Sequence, residues 1–125
     1  MYLCLMLLFH IVDDYFLQGM CLSNLKQKDF WDKNVQPLYT GRGKNLYRYD
    51  YLMALLCHCI SWSVMIMIPC MLANKFIWWL VPINCAIHFG VDHLKANMKK
   101  INLLTDQTIH FIQIILTYLI CFVWL

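Results

Sequence analysis

Three pairs of side chains in this sequence could do chemistry together: His10 with Asp14, His88 with Asp92, and Asp106 with His110. The members of each pair are four residues apart, which in an α-helix puts them on one face. Each pair interrupts a run of apolar residues, and His58 interrupts a fourth. Gln18 extends the first face, Gln113 roughly extends the last, and Gln107 follows Asp106. Imidazole and carboxylate together suit Zn, Mn or Fe(II). His10, Asp14, His58, His88, Asp92, Asp106 and His110 are therefore the candidate metal ligands. They exceed what one tetrahedral zinc requires, so they fit either two ions or one ion with an outer shell.

Electrostatics points the same way. Asp14, Asp92 and Asp106 would be carboxylates in hydrocarbon, which is costly unless something positive shares the space. No Lys or Arg falls within the apolar cores. Lys95 at the rim could reach in along its stem, but one ammonium does not offset three carboxylates. Bound cations, added protons or a hydrated cleft remain. A purely structural polar network and a proton or ion pathway stay open as alternatives. Asp13 lies off the main face but within reach of the cluster.

The elements that must position these residues read as transmembrane helices. Hydrophobic residues make up 62% of the 125 and charged ones only 14%, against about 25% in ordinary soluble domains. A crossing needs about 20 apolar residues. The runs at about 1–22, 51–73, 76–94 and 103–125 give an all-α, four-transmembrane-helix bundle in one domain. Pro69 and Pro82 are expected kinks, and Thr105 an expected N-cap. The break at Asn74 and Lys75 predicts a tight hairpin. Between the first two spans lies a polar loop, 23–50, whose LKQKDFWDKNV run suits a short interfacial helix. Its T-G-R-G-K run, Thr40 to Lys44, reads as a turn and lacks the spacing of a P-loop.

The loop 23–50 carries six basic residues, the stretch after the third span carries Lys95, Lys99 and Lys100, and the second loop carries only Lys75. The positive-inside rule puts the first and third loops in the cytoplasm and both termini on the other side. Trp78, Trp79 and Trp124 then fall at the outer interface. In that topology all the His and Asp pairs converge on the cytoplasmic half, although the topology was set by Lys and Arg alone. The net charge of +3 argues against a nucleic-acid partner. The seven cysteines contain no CxxC pair and read as small apolar packing residues.

The motifs resemble those of a family of small, largely uncharacterised membrane proteins of bacteria and phages. HIVDDYFLQ, from His10 to Gln18, resembles its H-x-x-x-D-[FY]-x-L-Q opening, and His58 matches the His that opens its second helix. HFGVDHLK, from His88 to Lys95, is similar to its H-F-x-x-D-x-x-K element, and DQTIH, from Asp106 to His110, to its D-Q-x-x-H element. The order is kept across most of the chain. Asp13 departs from the pattern, where a small residue is common. The arrangement is also similar to a wider group of membrane-bound metal-dependent hydrolases.

That resemblance implies a buried metal site in a multi-pass protein of a bacterial, or host bacterial, inner membrane. One or two divalent ions (Zn, Mn or Fe) would activate water. His58 would act as ligand or general base and Asp13 as proton acceptor. Gln18, Gln107 and Gln113 would orient the ligands from behind. Lys95, Lys99 and Lys100 would meet a phosphoester or lipid head group. The expected function is a hydrolase acting on such a substrate at the cytoplasmic face. The alternatives are a metal-ion or proton transport protein, and a phage or bacterial membrane factor whose metal is structural. The bilayer is the expected partner, and a homo-oligomer or a membrane protein partner is compatible with the sequence.

Overall fold

The computed structural model describes residues 1–38 and 47–124, and all of the regular structure in them is helical. The expected Thr40–Lys44 turn lies outside the described residues. Helix α1 (Tyr2–Ile11) continues through a π-helical turn, Val12–Leu17, and α2 follows over Gly19–Leu25. A very short α3 (Lys28–Phe30) leads into further π- and 3-10 turns up to Leu38. The long helices are α4 (Asp50–Leu72), α5 (Leu80–Ala96) and α6 (Leu103–Leu119), and a π-helical turn, Ile120–Trp124, prolongs α6.

Two of these helical stretches, Asp50–Leu72 and Leu103–Trp124, are long and apolar enough to cross a membrane. A third qualifies only if Tyr2–Leu17 and Gly19–Leu25 count as one span, and these two are bent by 82°. The bend is at Gly19, whose φ of +54° is in the left-handed region that glycine enters without steric cost. The expected first span of 1–22 is therefore a straight helix as far as Leu17 and a second piece that turns away. The expected third span, 76–94, appears as the 17-residue helix α5, starting at Leu80.

Pro82 acts differently from expectation. It falls in the first turn of α5, where the missing N–H would have had no intrahelical partner, so it starts the helix and does not kink it. Pro69 lies within α4, which nonetheless runs unbroken to Leu72. Asn74 then adopts a left-handed conformation (φ 54°), and the Lys75 N–H returns to the Cys70 carbonyl at 2.8 Å. A left-handed cap thus ends α4, and the connection to α5 runs from Ala73 to Trp79, longer than the break expected at Asn74 and Lys75. The N-cap of α6 is Asn102 and not Thr105: its side chain accepts from the Thr105 N–H at 2.8 Å.

The interior divides in two. Away from the lysines, Met6, Trp62, Ile66, Met67, Cys70, Leu80, Ile114 and Cys121 form an apolar cluster. Toward the lysine-bearing end the buried residues turn polar: His10, Asp13, Lys26, His58, His88, Asp92, Asp106 and His110. Outward faces are apolar, as at Phe16, Met20, Leu104, Leu116 and Trp124. All seven cysteines are free.

The α5–α6 turn is tied to the segment after α2. Asn97 accepts from the Lys28 N–H at 2.7 Å and donates to the Lys26 carbonyl at 3.2 Å. Lys99 pairs with Asp29. The Lys99 ammonium holds the Asp29 carboxyl below the usual carboxylate range by hydrogen bonding and by charge. Since the folded pKa is the lower one, the pair contributes above the ordinary carboxylate pKa and is lost as acid protonates Asp29. Both groups are exposed and screened, so the contribution is small. In a Lys99→Ala variant, Asp29 should titrate at a higher pH, close to the value of a free aspartate, by NMR of labelled carboxyl carbons. An unchanged titration would mean that the latch is not formed.

Candidate metal centre

The members of each of the three sequence pairs lie side by side: His10 Nδ1 is 3.7 Å from Asp14 Oδ2, His88 Nε2 3.9 Å from Asp92 Oδ1, and His110 Nε2 3.4 Å from Asp106 Oδ1. His58 enters from α4 and lies between them. Its Nε2 is 3.5 Å from Asp14 Oδ1, 3.5 Å from Asp92 Oδ2 and 3.1 Å from His88 Nε2. His88 Nδ1 is 3.2 Å from His110 Nδ1. Two triads result, each with ligand atoms all within 4.8 Å of one another: Asp14, His58 and His88, and His88, Asp92 and His110. Each offers two imidazoles and one carboxylate, a set that suits a divalent transition metal with positions left open.

Two expected ligands have other partners. The indole N–H of Trp62 donates to His10 Nδ1 at 2.8 Å. An indole can only donate, so Nδ1 accepts and the proton sits on His10 Nε2. That nitrogen faces Gln107 Oε1 at 3.0 Å. With both ring nitrogens engaged, His10 is a positioning residue and not a ligand in this arrangement. Gln107 passes the constraint on, its amide donating to Asp14 Oδ2 and to Asp106 Oδ2, each at 3.2 Å. Asp106 belongs to neither triad, and its Oδ2 pairs with the Lys95 ammonium. Trp62 also stacks on the His88 ring, with centroids 4.1 Å apart.

Asp13 is buried behind His58. Its Oδ1 accepts from the Ser61 hydroxyl at 2.5 Å, and its Oδ2 is 3.4 Å from His58 Nδ1. It is not among the residues lining the cleft described below. Its position is that of a carboxylate orienting a histidine from behind, not of a proton acceptor facing a substrate. Gln113 is directed elsewhere, donating at 2.8 Å to both the backbone and side-chain oxygens of Asn84. Together with Thr117 they make a separate polar network. Gln18, with its amide oriented to suit its neighbours, donates to the Asp14 carbonyl and accepts from Lys26.

Lys26 is the residue that sequence reasoning missed. The sequence places it in the polar loop. Because the chain turns at Gly19, its ammonium instead enters the site and meets Asp92 Oδ2 at 2.6 Å, with the lysine only 5% exposed. Lys95 adds a second ammonium, shared between Asp106 and, at 3.9 Å, Asp92 Oδ1. The expectation that Lys95 alone could reach in is thus corrected. Lys26 does fall on the four-residue step of His10, Asp14 and Gln18, but that step loses its meaning where the helix breaks.

A cleft of about 460 Å³ opens on the site. Asp14, Gln18, Lys26, Lys95, Lys99 and Gln107 are on its wall, with Tyr15 and Leu103 supplying apolar surface. Lys100 does not line it. One ligand of the first triad therefore faces a space that a small polar molecule could enter, and three lysines face the same space. Comparison with family profiles, curated proteins and solved structures gives no match for this chain.

Proposed function

We propose that the chain is a membrane-embedded, metal-dependent hydrolase that acts on a phosphoester or lipid-like substrate at the cytoplasmic face. In this reading four helices cross the bilayer, α5 among them, and the lysine-rich end faces inward. The outward apolar faces support a lipid environment, as do the two long apolar helices. The small bacterial and phage membrane proteins, and the metal-dependent hydrolases that they resemble, are the proposed kin.

One observation carries the metal reading. Asp14 Oδ1 is buried without a hydrogen-bond partner, 3.5 Å from His58 Nε2. An orphaned carboxylate oxygen beside an imidazole nitrogen is costly alone and is satisfied by a shared cation. A bound metal supplies a water of lowered pKa and an electrophile. The protein's own groups do the rest. Asp13, held by Ser61, lies behind His58, Trp62 and His10 fix Gln107, and Gln107 fixes Asp14. The ammoniums of Lys95 and Lys26, and that of Lys99 at the rim, face the cleft where an anionic group would sit.

The test is to purify the protein in detergent without chelator, quantify bound metals, and assay a panel of phosphomonoesters and phosphodiesters. Turnover should require metal and fall by about 100-fold or more in His58→Ala. Full metal occupancy with no turnover on the panel would sink the hydrolase and leave a binding or transport role. Flux into proteoliposomes that depends on the same residues would identify transport.

A further inference from the structure

We infer that the cluster takes one divalent ion per chain, at Asp14 Oδ1, His58 Nε2 and His88 Nε2, and that Asp92 and His110 back this site without forming a second one. The inference rests on the metal reading above and specifies it. Four observations converge on it.

Unsatisfied atoms come first. Asp14 Oδ1 has no partner, whereas both oxygens of Asp92 are engaged, Oδ2 by Lys26 and Oδ1 by His110. The first triad is incomplete without a cation and the second is not.

Proton bookkeeping agrees. The 3.2 Å contact between His88 Nδ1 and His110 Nδ1 needs one proton between the two nitrogens. If His110 Nδ1 holds it and His110 is neutral, then His110 Nε2 is a bare lone pair facing Asp92 Oδ1 at 3.3 Å and Asp106 Oδ1 at 3.4 Å. Three acceptors would then face one another. If His110 is neutral and His88 Nδ1 holds it, His110 Nε2–H donates to Asp92 Oδ1 and also faces Asp106 Oδ1, which has no other partner. His88 then presents the lone pair of Nε2. His58, with Nδ1–H toward Asp13 Oδ2 at 3.4 Å, presents Nε2 as well. The two lone pairs lie 3.1 Å apart and repel unless a cation lies between them. A neutral imidazole with one free lone pair serves one ion, so His88 cannot supply both triads at once.

Charge sets the number. Asp13, Asp14, Asp92 and Asp106 are four buried or nearly buried carboxylates, and Lys26 and Lys95 are two ammoniums among them. With the histidines neutral, two negative charges remain, which one divalent ion neutralises. A second ion would leave an equal excess of positive charge in a medium that disfavours it.

Geometry fits one tetrahedral ion. Bonds of about 2.0–2.1 Å to zinc place tetrahedral ligand atoms about 3.4 Å apart. The contacts of His58 Nε2 with His88 Nε2 and Asp14 Oδ1 are 3.1 and 3.5 Å. Three protein ligands leave a fourth position open, and Asp14 is the ligand on the cleft wall, as a site built for exchange requires.

The experiment loads the full chain in detergent with Zn²⁺ and counts zinc per chain, then repeats the count with Co²⁺, whose visible spectrum reports coordination. One ion per wild-type chain is expected. Asp14→Asn and His58→Gln should lose it, while Asp92→Asn and His110→Gln should still bind one ion with affinity reduced about 10–100-fold, as for outer-shell changes. Two ions per wild-type chain would overturn the inference without touching the metal reading. So would loss of the ion in Asp92→Asn with retention in Asp14→Asn. No ion in the wild type would remove the metal reading itself, and a doubly protonated His110 would then be the cation that closes the network. The wild-type count needs no variant to fold.

Discussion

Replacing Lys26 with methionine is expected to destabilise the protein by about 3–5 kcal/mol, the usual result of removing one partner from a buried ion pair. The ammonium is 2.6 Å from Asp92 Oδ2, and both side chains are almost wholly enclosed. Lys95 cannot substitute, because it is committed to Asp106 and reaches Asp92 only at 3.9 Å. Methionine keeps the length and apolar stem of lysine, so packing is nearly conserved and the loss is electrostatic. The Lys26→Met, Asp92→Leu double variant should recover most of the loss, since it removes both charges together. Unfolding in detergent, followed by tryptophan fluorescence, measures all four corners of the cycle. A Lys26→Met variant as stable as the wild type would show that the segment after Gly19 does not fold back into the site. The zinc count of the double variant is informative too, because Asp92 is not a ligand in the proposed centre.

That lysine also shows where sequence reasoning stops. The His and Asp pairs are legible because a four-residue step on a helix fixes a shared face, and the structure keeps the members of all three within 4 Å of each other. The all-helical architecture followed from apolar runs of the right length. Which face each helix turns to its neighbours did not. His10 looks like His88 in the sequence, and only Trp62, from another helix, makes it a relay residue. Gln113 looks like Gln107, but a helix turn places it against Asn84. Asp13, expected off the main face but within reach of the cluster as a proton acceptor, is buried in the π-helical turn from Val12 to Leu17. A regular 3.6-residue repeat cannot anticipate such a turn. The bend at Gly19 could be suspected from the glycine, but not its angle, and the angle is what delivers Lys26.

Asp14→Asn is expected to reverse sign with metal. In chelator the variant should be more stable than the wild type, by about 1–3 kcal/mol, because it removes a buried charge with an unpartnered oxygen. The amide still accepts from Gln107 through its oxygen, so the Trp62–His10–Gln107 chain is kept. In zinc the order should invert. Binding to the folded state stabilises the wild type by about 4.1 kcal/mol at 1,000-fold excess over Kd, and a variant that has lost an anionic ligand gains little. The two melting curves therefore cross as free zinc rises. A structural polar network predicts something else: Asp14→Asn would lower stability equally with and without metal, since the lost contacts would be hydrogen bonds and not a cation site. A proton pathway predicts no zinc dependence in either protein. The crossing thus discriminates among the three readings with one residue and one titration, and it does so through stability, without the substrate having to be known.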